Sequence, residues 1–122
     1  MALRVMIVDD ALFMRNMLKD IFVRAGYEIV AEGDNGDDAL QLYKDNWPDL
    51  VTMDIVMPKK SGIEAVQEII ARDPQARVIM VSALGQDSLV LEAVEAGAKD
   101  FIVKPFREEK VLETVKRVIE QD

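Results

Sequence analysis

Four places in this sequence put residues capable of chemistry directly behind a short apolar run. Val5-Met6-Ile7-Val8 stops at Asp9-Asp10, Val51-Thr52-Met53 at Asp54, Val78 to Val81 at Ser82-Ala83, and Phe101-Ile102-Val103 at Lys104-Pro105. Together they offer three carboxylates, a hydroxyl and an ammonium. Carboxylates held close together repel, so they raise their pKa values or recruit a cation. With oxygen ligands only, that cation is hard: Mg²⁺, with Mn²⁺ able to substitute. Such a pocket suits phosphoryl transfer, because a metal, a lysine and a hydroxyl can neutralise the equatorial oxygens while a carboxylate attacks in line. Each group alone has a plainer reading. Asp9-Asp10 could cap a helix and Asp54 a loop, Ser82-Ala83 could form a turn, and Lys104 could be a solvated lysine. Their conjunction at four strand ends is what favours a site.

The elements that must position these groups alternate. Apolar runs at Leu3–Val8, Glu28–Gly33, Leu50–Met53, Val78–Val81 and Phe101–Val103 read as strands. Between them apolar residues recur at helical spacing: Met14, Met17, Leu18, Ile21, Phe22 and Ala25; Ile63, Val66, Ile69 and Ile70; Val90, Ala93 and Val94; Val111, Leu112, Val115, Val118 and Ile119. A shorter helix fits Asp37–Asn46. Gly26 and Gly97 fall where helices end in a left-handed residue, and Trp47-Pro48 and Asp73-Pro74 close two more. Asp87 is placed to cap the fourth helix. Alternating β and α units imply right-handed crossovers and a five-stranded parallel sheet with helices on both faces, an α/β, doubly wound (βα)5 fold. Near-continuous apolar strands agree, since such a sheet is buried on both sides. Ligands bind beyond the carboxyl ends of its strands, where the polar groups lie.

Composition narrows the chemistry. At 122 residues the chain fits one domain, read as residues 1–122. It has no cysteine and no histidine, which removes disulfides, thiolate or imidazole metal ligands and the histidine-based catalytic triads. A net charge of −8 argues against nucleic acid and anionic membranes as partners. No apolar run approaches the roughly 20 residues of a membrane span, and the start of the chain does not read as a secretory signal, so a cytoplasmic protein is expected.

Ile7-Val8-Asp9-Asp10, Met53-Asp54-Ile55-Val56-Met57-Pro58 with Gly62, Ser82-Ala83 and Lys104-Pro105-Phe106 resemble the receiver domains of two-component response regulators, in order and over essentially the whole chain. Asp9-Asp10 followed by Met14-Arg15, Ser82 to Gln86 and Ala98 to Phe106 are similar to the stand-alone chemotaxis type of that family. The resemblance implies a flavodoxin-like fold and Asp54 as phosphoacceptor. It implies Mg²⁺ held by Asp10, Asp54 and the Val56 backbone carbonyl, with Asp9 acting through water. Ser82 and Lys104 would contact the phosphoryl group, the Lys104-Pro105 bond would be cis, and Ser82 and Phe101 would form the conformational switch. Phe101 also reads as buried core. The implied partners are a CheA-like histidine kinase, a downstream target such as a flagellar motor switch or adaptor, and optionally a phosphatase. The output face would comprise roughly Asp87–Ala96, Lys99–Val103 and Arg107–Glu120, with Glu92, Glu95 and Lys99 among its exposed members. A monomer suffices. The protein would not be a turnover enzyme, although a receiver catalyses its own phosphorylation and dephosphorylation.

Two departures matter. Phe101 lacks a tyrosine hydroxyl, and Val56 and Leu84 are apolar where relatives carry polar groups near the attacking water, which predicts a long-lived phosphoryl state. Other classes fit less well. A phosphatase using an aspartyl-phosphate intermediate needs a second aspartate two residues after the nucleophile, and position 56 is Val. An FMN carrier needs a phosphate-cradling loop where Asp9-Asp10 would repel the phosphate. A passive phosphorelay module stays open.

Overall fold

Val, Ile and Met fill the central runs because a parallel sheet covered on both faces asks for apolar side chains in every position. The computed structural model describes residues 2–121. Its strands are β1 (Arg4–Val8), β2 (Glu28–Gly33), β3 (Leu50–Asp54), β4 (Val78–Ser82) and β5 (Asp100–Val103). Its helices are α1 (Leu12–Arg24), α2 (Ala39–Asn46), α3 (Gly62–Arg72), α4 (Asp87–Glu95) and α5 (Glu108–Glu120). All the strands pair in parallel, in the order β2-β1-β3-β4-β5.

Side-chain alternation along each strand divides the core into two layers. Val5, Ile7, Leu50, Ile79 and Ile102 pack with Leu18, Ile21 and Phe22 of α1 and with Val111, Val115 and Val118 of α5. Met6, Val8, Val51, Met53 and Met80 point the other way, onto Tyr43 of α2, Ala65, Val66 and Ile69 of α3, and Ala93 of α4. The doubly wound α/β expectation therefore holds, and the chain reverses its direction of winding between β1 and β3.

Element ends differ from the expectation in three informative places. α2 starts at Ala39 rather than Asp37. The Asn35 side chain accepts from the Asp38 N–H (3.0 Å) and donates to the Asp34 and Asp38 carboxylates, which holds this stretch as a turn. Asp87 is the first residue of α4 and not its cap; Gln86 stands in that position. A carboxylate in the first turn suits the helix dipole without a capping bond. Ala25 is exposed at the end of α1 instead of continuing its apolar stripe. Gly26 (φ 88°) and Gly97 (φ 122°) do take left-handed conformations just after α1 and α4.

Candidate functional site

Register carries the four polar strand ends to one edge. Val8 of β1 pairs with Met53 of β3, so the residues that follow, Asp9 and Asp54, stand side by side. Asp54 pairs with Val81, which brings Ser82 next, and Ser82 pairs with Val103, which brings Lys104. The Lys104 N–H donates to the Ser82 carbonyl (2.7 Å) and closes this edge. The Lys104–Pro105 bond is cis, as the resemblance implied.

Carboxylate oxygens of Asp9, Asp10 and Asp54 lie within 4.8 Å of one another. Asp9 is 1% exposed and Asp54 is 7% exposed, whereas Asp10 faces solvent. The Lys104 ammonium lies 3.4 Å from Asp54 Oδ2 and 3.5 Å from Asp9 Oδ2. Burial, and then the charge of Asp9, push the Asp54 carboxyl up to about 6, with Lys104 pulling against them. Three carboxylates against one ammonium leave a net charge of −2 when all are ionised. Among the described residues, Asp9 Oδ2 and Ser82 Oγ are buried without a hydrogen-bond partner. Unpaired buried acceptors, an all-oxygen donor set and that residual charge fit a hard divalent cation.

Local packing makes the arrangement rigid. The Ala11 N–H donates to Asp9 Oδ1 (2.9 Å), which leaves Oδ2 turned to the cluster. The Asp9 N–H donates to the Gly33 carbonyl of β2 (3.0 Å). Behind Asp54, α3 begins at Gly62, where an added Cβ would sit 2.0 Å from the Asp54 carbonyl oxygen. Only glycine permits that approach. The Ser61 hydroxyl caps α3 by accepting from the Glu64 N–H (3.2 Å).

Val56 and Leu84, 56% and 77% exposed, lie in the segments that follow Asp54 and Ser82. Beside Ser82 an apolar cleft of about 340 Å³ is lined by Leu84, Val90, Leu91, Val94, Phe101 and Val103 among others. Phe101 is 40% exposed at its margin, so the buried-core reading of this residue does not hold. Glu92, Glu95 and Lys99 are exposed as expected.

Sequence reasoning assigned no contact to Arg15, whose guanidinium donates to the Asp9 carbonyl (2.6 Å). It also passed over Thr52, which is fully buried with an unpartnered hydroxyl two residues before Asp54. The spacing of Arg15 from Asp9 was the available signal for the first. For Thr52 the signal was a hydroxyl inside an otherwise apolar strand.

Fold and site define an α/β domain with an acidic, cation-competent pocket at the winding reversal of a parallel sheet. The family model of the response regulator receiver domain matches residues 5–116, and the chain belongs to that family. It is 57% identical over 119 residues to the chemotaxis protein CheY of Bacillus subtilis (strain 168), covering 98% of this chain and 99% of that one. It is 55% identical over 118 residues to CheY of Thermotoga maritima, covering 97% and 98%. Among solved structures, a CheX-CheY-BeF3-Mg²⁺ complex from Borrelia burgdorferi superposes with a TM-score of 0.93 at 42% identity, covering 98% of this chain and 90% of that one. The protein is thus a CheY-like receiver domain of a two-component chemotaxis pathway. No helix among the described residues is long and apolar enough to cross a membrane.

Proposed function

We propose that Asp54 accepts the phosphoryl group, that Asp10, Asp54 and the Val56 carbonyl hold Mg²⁺ directly with Asp9 acting through water, and that Ser82 and Lys104 secure the phosphoryl oxygens. The observation that carries this reading is Lys104 Nζ poised 3.4–3.5 Å from the carboxylates of both Asp54 and Asp9. An Asp54 oxygen attacks phosphorus in line, and the bond from phosphorus to the donor breaks. The electron pair leaves with the donor, an imidazole nitrogen of a histidine kinase or the acetate of acetyl phosphate. As Asp54 becomes an acyl phosphate it loses its own charge, and the Lys104 ammonium moves to a phosphoryl oxygen. The orphaned Ser82 hydroxyl donates to another. Mg²⁺, when bound, supplies charge neutralisation at the phosphoryl oxygens.

Recruiting Ser82 towards the phosphate draws the β4–α4 segment inward and opens room for Phe101 to leave solvent for the apolar cleft. That movement alters the surface of α4, β5 and α5, and with it the affinity for a downstream target. The apolar side chains of Val56 and Leu84 fail to orient water, so the phosphoryl state persists. In this reading the protein works in the cytoplasm as a monomer, and a kinase and a phosphatase act on it. It catalyses its own phosphorylation and slow dephosphorylation without being a turnover enzyme.

Protein incubated with Mg²⁺ and acetyl phosphate or phosphoramidate should gain one phosphoryl mass, lost in Asp54→Asn and in EDTA. No gain despite demonstrated Mg²⁺ binding would move the test to a cognate kinase, and no gain with no binding would sink the reading. Val56→Asn combined with Leu84→Glu should speed spontaneous dephosphorylation; an unchanged rate would refute the water argument.

A further inference from the structure

The guanidinium of Arg15 meets the acidic pocket at the backbone of Asp9 and pairs with Glu32 outside the carboxylate cluster. From the first turns of α1 its Nη1 donates to the backbone carbonyl of Asp9 at 2.6 Å. Its Nε is buried, 3.5 Å from Glu32 Oε1 and short of a hydrogen bond. Glu32, on β2, is gripped in turn by Lys19 Nζ at 2.7 Å. The Arg15 side chain is only 15% exposed. Holding so long a cation there costs rotamer freedom and hydration, so the site must return something for it.

The return lies in what the bond fixes. The Asp9 peptide is held on both sides, its N–H by the Gly33 carbonyl and its own carbonyl by Arg15. Asp9 Oδ1 is occupied by the Ala11 N–H. With backbone and one carboxylate oxygen pinned, the remaining oxygen, Oδ2, has a single direction, into the cluster. We propose that Arg15 is a positioning residue for the cation pocket, clamping the Asp9-Asp10 turn through the Asp9 carbonyl, with Lys19 and Glu32 setting its pose. This role rests on the assignment of Mg²⁺ to Asp9, Asp10 and Asp54.

The sign of the effect separates this role from a field effect. A cation beside a cation site repels the ion, so on charge alone removing Arg15 would tighten Mg²⁺ binding. A purely structural role would lower the melting temperature and leave affinity unchanged well below it. Positioning predicts weaker binding. Arg15→Lys tests this at constant charge, because an ammonium lacks the planar fork that here spans the Asp9 carbonyl and Glu32.

The experiment is calorimetric titration of Mg²⁺ into wild type, Arg15→Lys and Arg15→Met without phosphodonor, each variant first shown folded by circular dichroism. The expected result is a roughly tenfold weaker affinity in Arg15→Met, as for other groups that orient metal ligands. Arg15→Lys should show a smaller loss and remains decisive if the methionine variant does not fold. Phosphorylation rates should show a raised half-saturating Mg²⁺ concentration with the maximal rate regained in Arg15→Lys. Affinity that is unchanged or tighter in the folded variants would overturn the role. A wild type that binds no Mg²⁺ would instead overturn the cation site on which it rests.

Discussion

At the edge where the strands begin, Arg4 donates to the carbonyls of Trp47 and Asn46, both at 2.8 Å, and its N–H donates to Asp49 (2.9 Å). The Tyr43 hydroxyl there donates to Asp73 (2.7 Å), and burial followed by that bond raises its pKa. At the edge where the strands end, Asp9 Oδ2 and Ser82 Oγ are buried with no hydrogen-bond partner among the described residues. Carboxylates crowd together there, with a lysine too distant to satisfy both of those it faces. One sheet thus has a settled end and an unsettled one. Buried polar groups are expensive when unpaired, so the unsettled end costs stability and keeps its donors and acceptors free for a ligand.

Substitutions at the two edges should therefore differ in sign. The largest effect is expected from Ser82→Ala, with phosphoryl transfer to Asp54 slowed roughly 100-fold by loss of the donor proposed for the phosphoryl group. The same variant should unfold at higher denaturant because an orphaned hydroxyl is gone; slower transfer without added stability would blur the contrast. At the opposite edge Arg4→Met removes two charge-assisted bonds and should cost about 2 kcal/mol in urea unfolding, with phosphorylation unchanged.

Next comes Asp54→Asn in cation-free buffer. The folded carboxyl titrates at about 6, against roughly 3.9 in an unfolded chain. Between those values the folded protein holds a proton that the unfolded chain has lost. Wild-type stability therefore falls as pH rises through that window and stays low above it. Asp54→Asn should be more stable by about 1–2 kcal/mol at pH 7 after discounting for solvent screening, and no more stable at pH 4. Equal gains at both pH values would place the cause outside titration. The smallest effect is Thr52→Val, a near-isosteric loss of the unpartnered hydroxyl, expected to stabilise by about 1 kcal/mol while leaving Mg²⁺ affinity alone.

Much of the unsettled edge was legible because strand ends are punctuated by residue type. Asp9, Asp54, Ser82 and Lys104 each interrupt an apolar run, and parallel alternation forces the interruptions together. The settled edge was not legible, since Arg4 reaches Trp47 and Tyr43 reaches Asp73 across 43 and 30 positions with no periodicity to announce them. The late start of α2 escaped for a local reason, as Asn35 competes with the helix for its first N–H groups. Arg15 stood in the sequence as part of the Met14-Arg15 motif, but its contact did not, because its partner is a backbone atom and any residue supplies a carbonyl.

Trp47, the single tryptophan, lies at the settled edge with its ring 5.4 Å from that of Tyr43. The length of β3, about 13 Å at the usual rise per residue, separates it from Asp54. Its emission should therefore report on the folding of α2 and the start of β3, with little direct response to ions and phosphate at the far end. A ligand of the acidic pocket should then show itself in that signal as a shifted unfolding midpoint, while occupancy of the pocket is read directly by heat or mass.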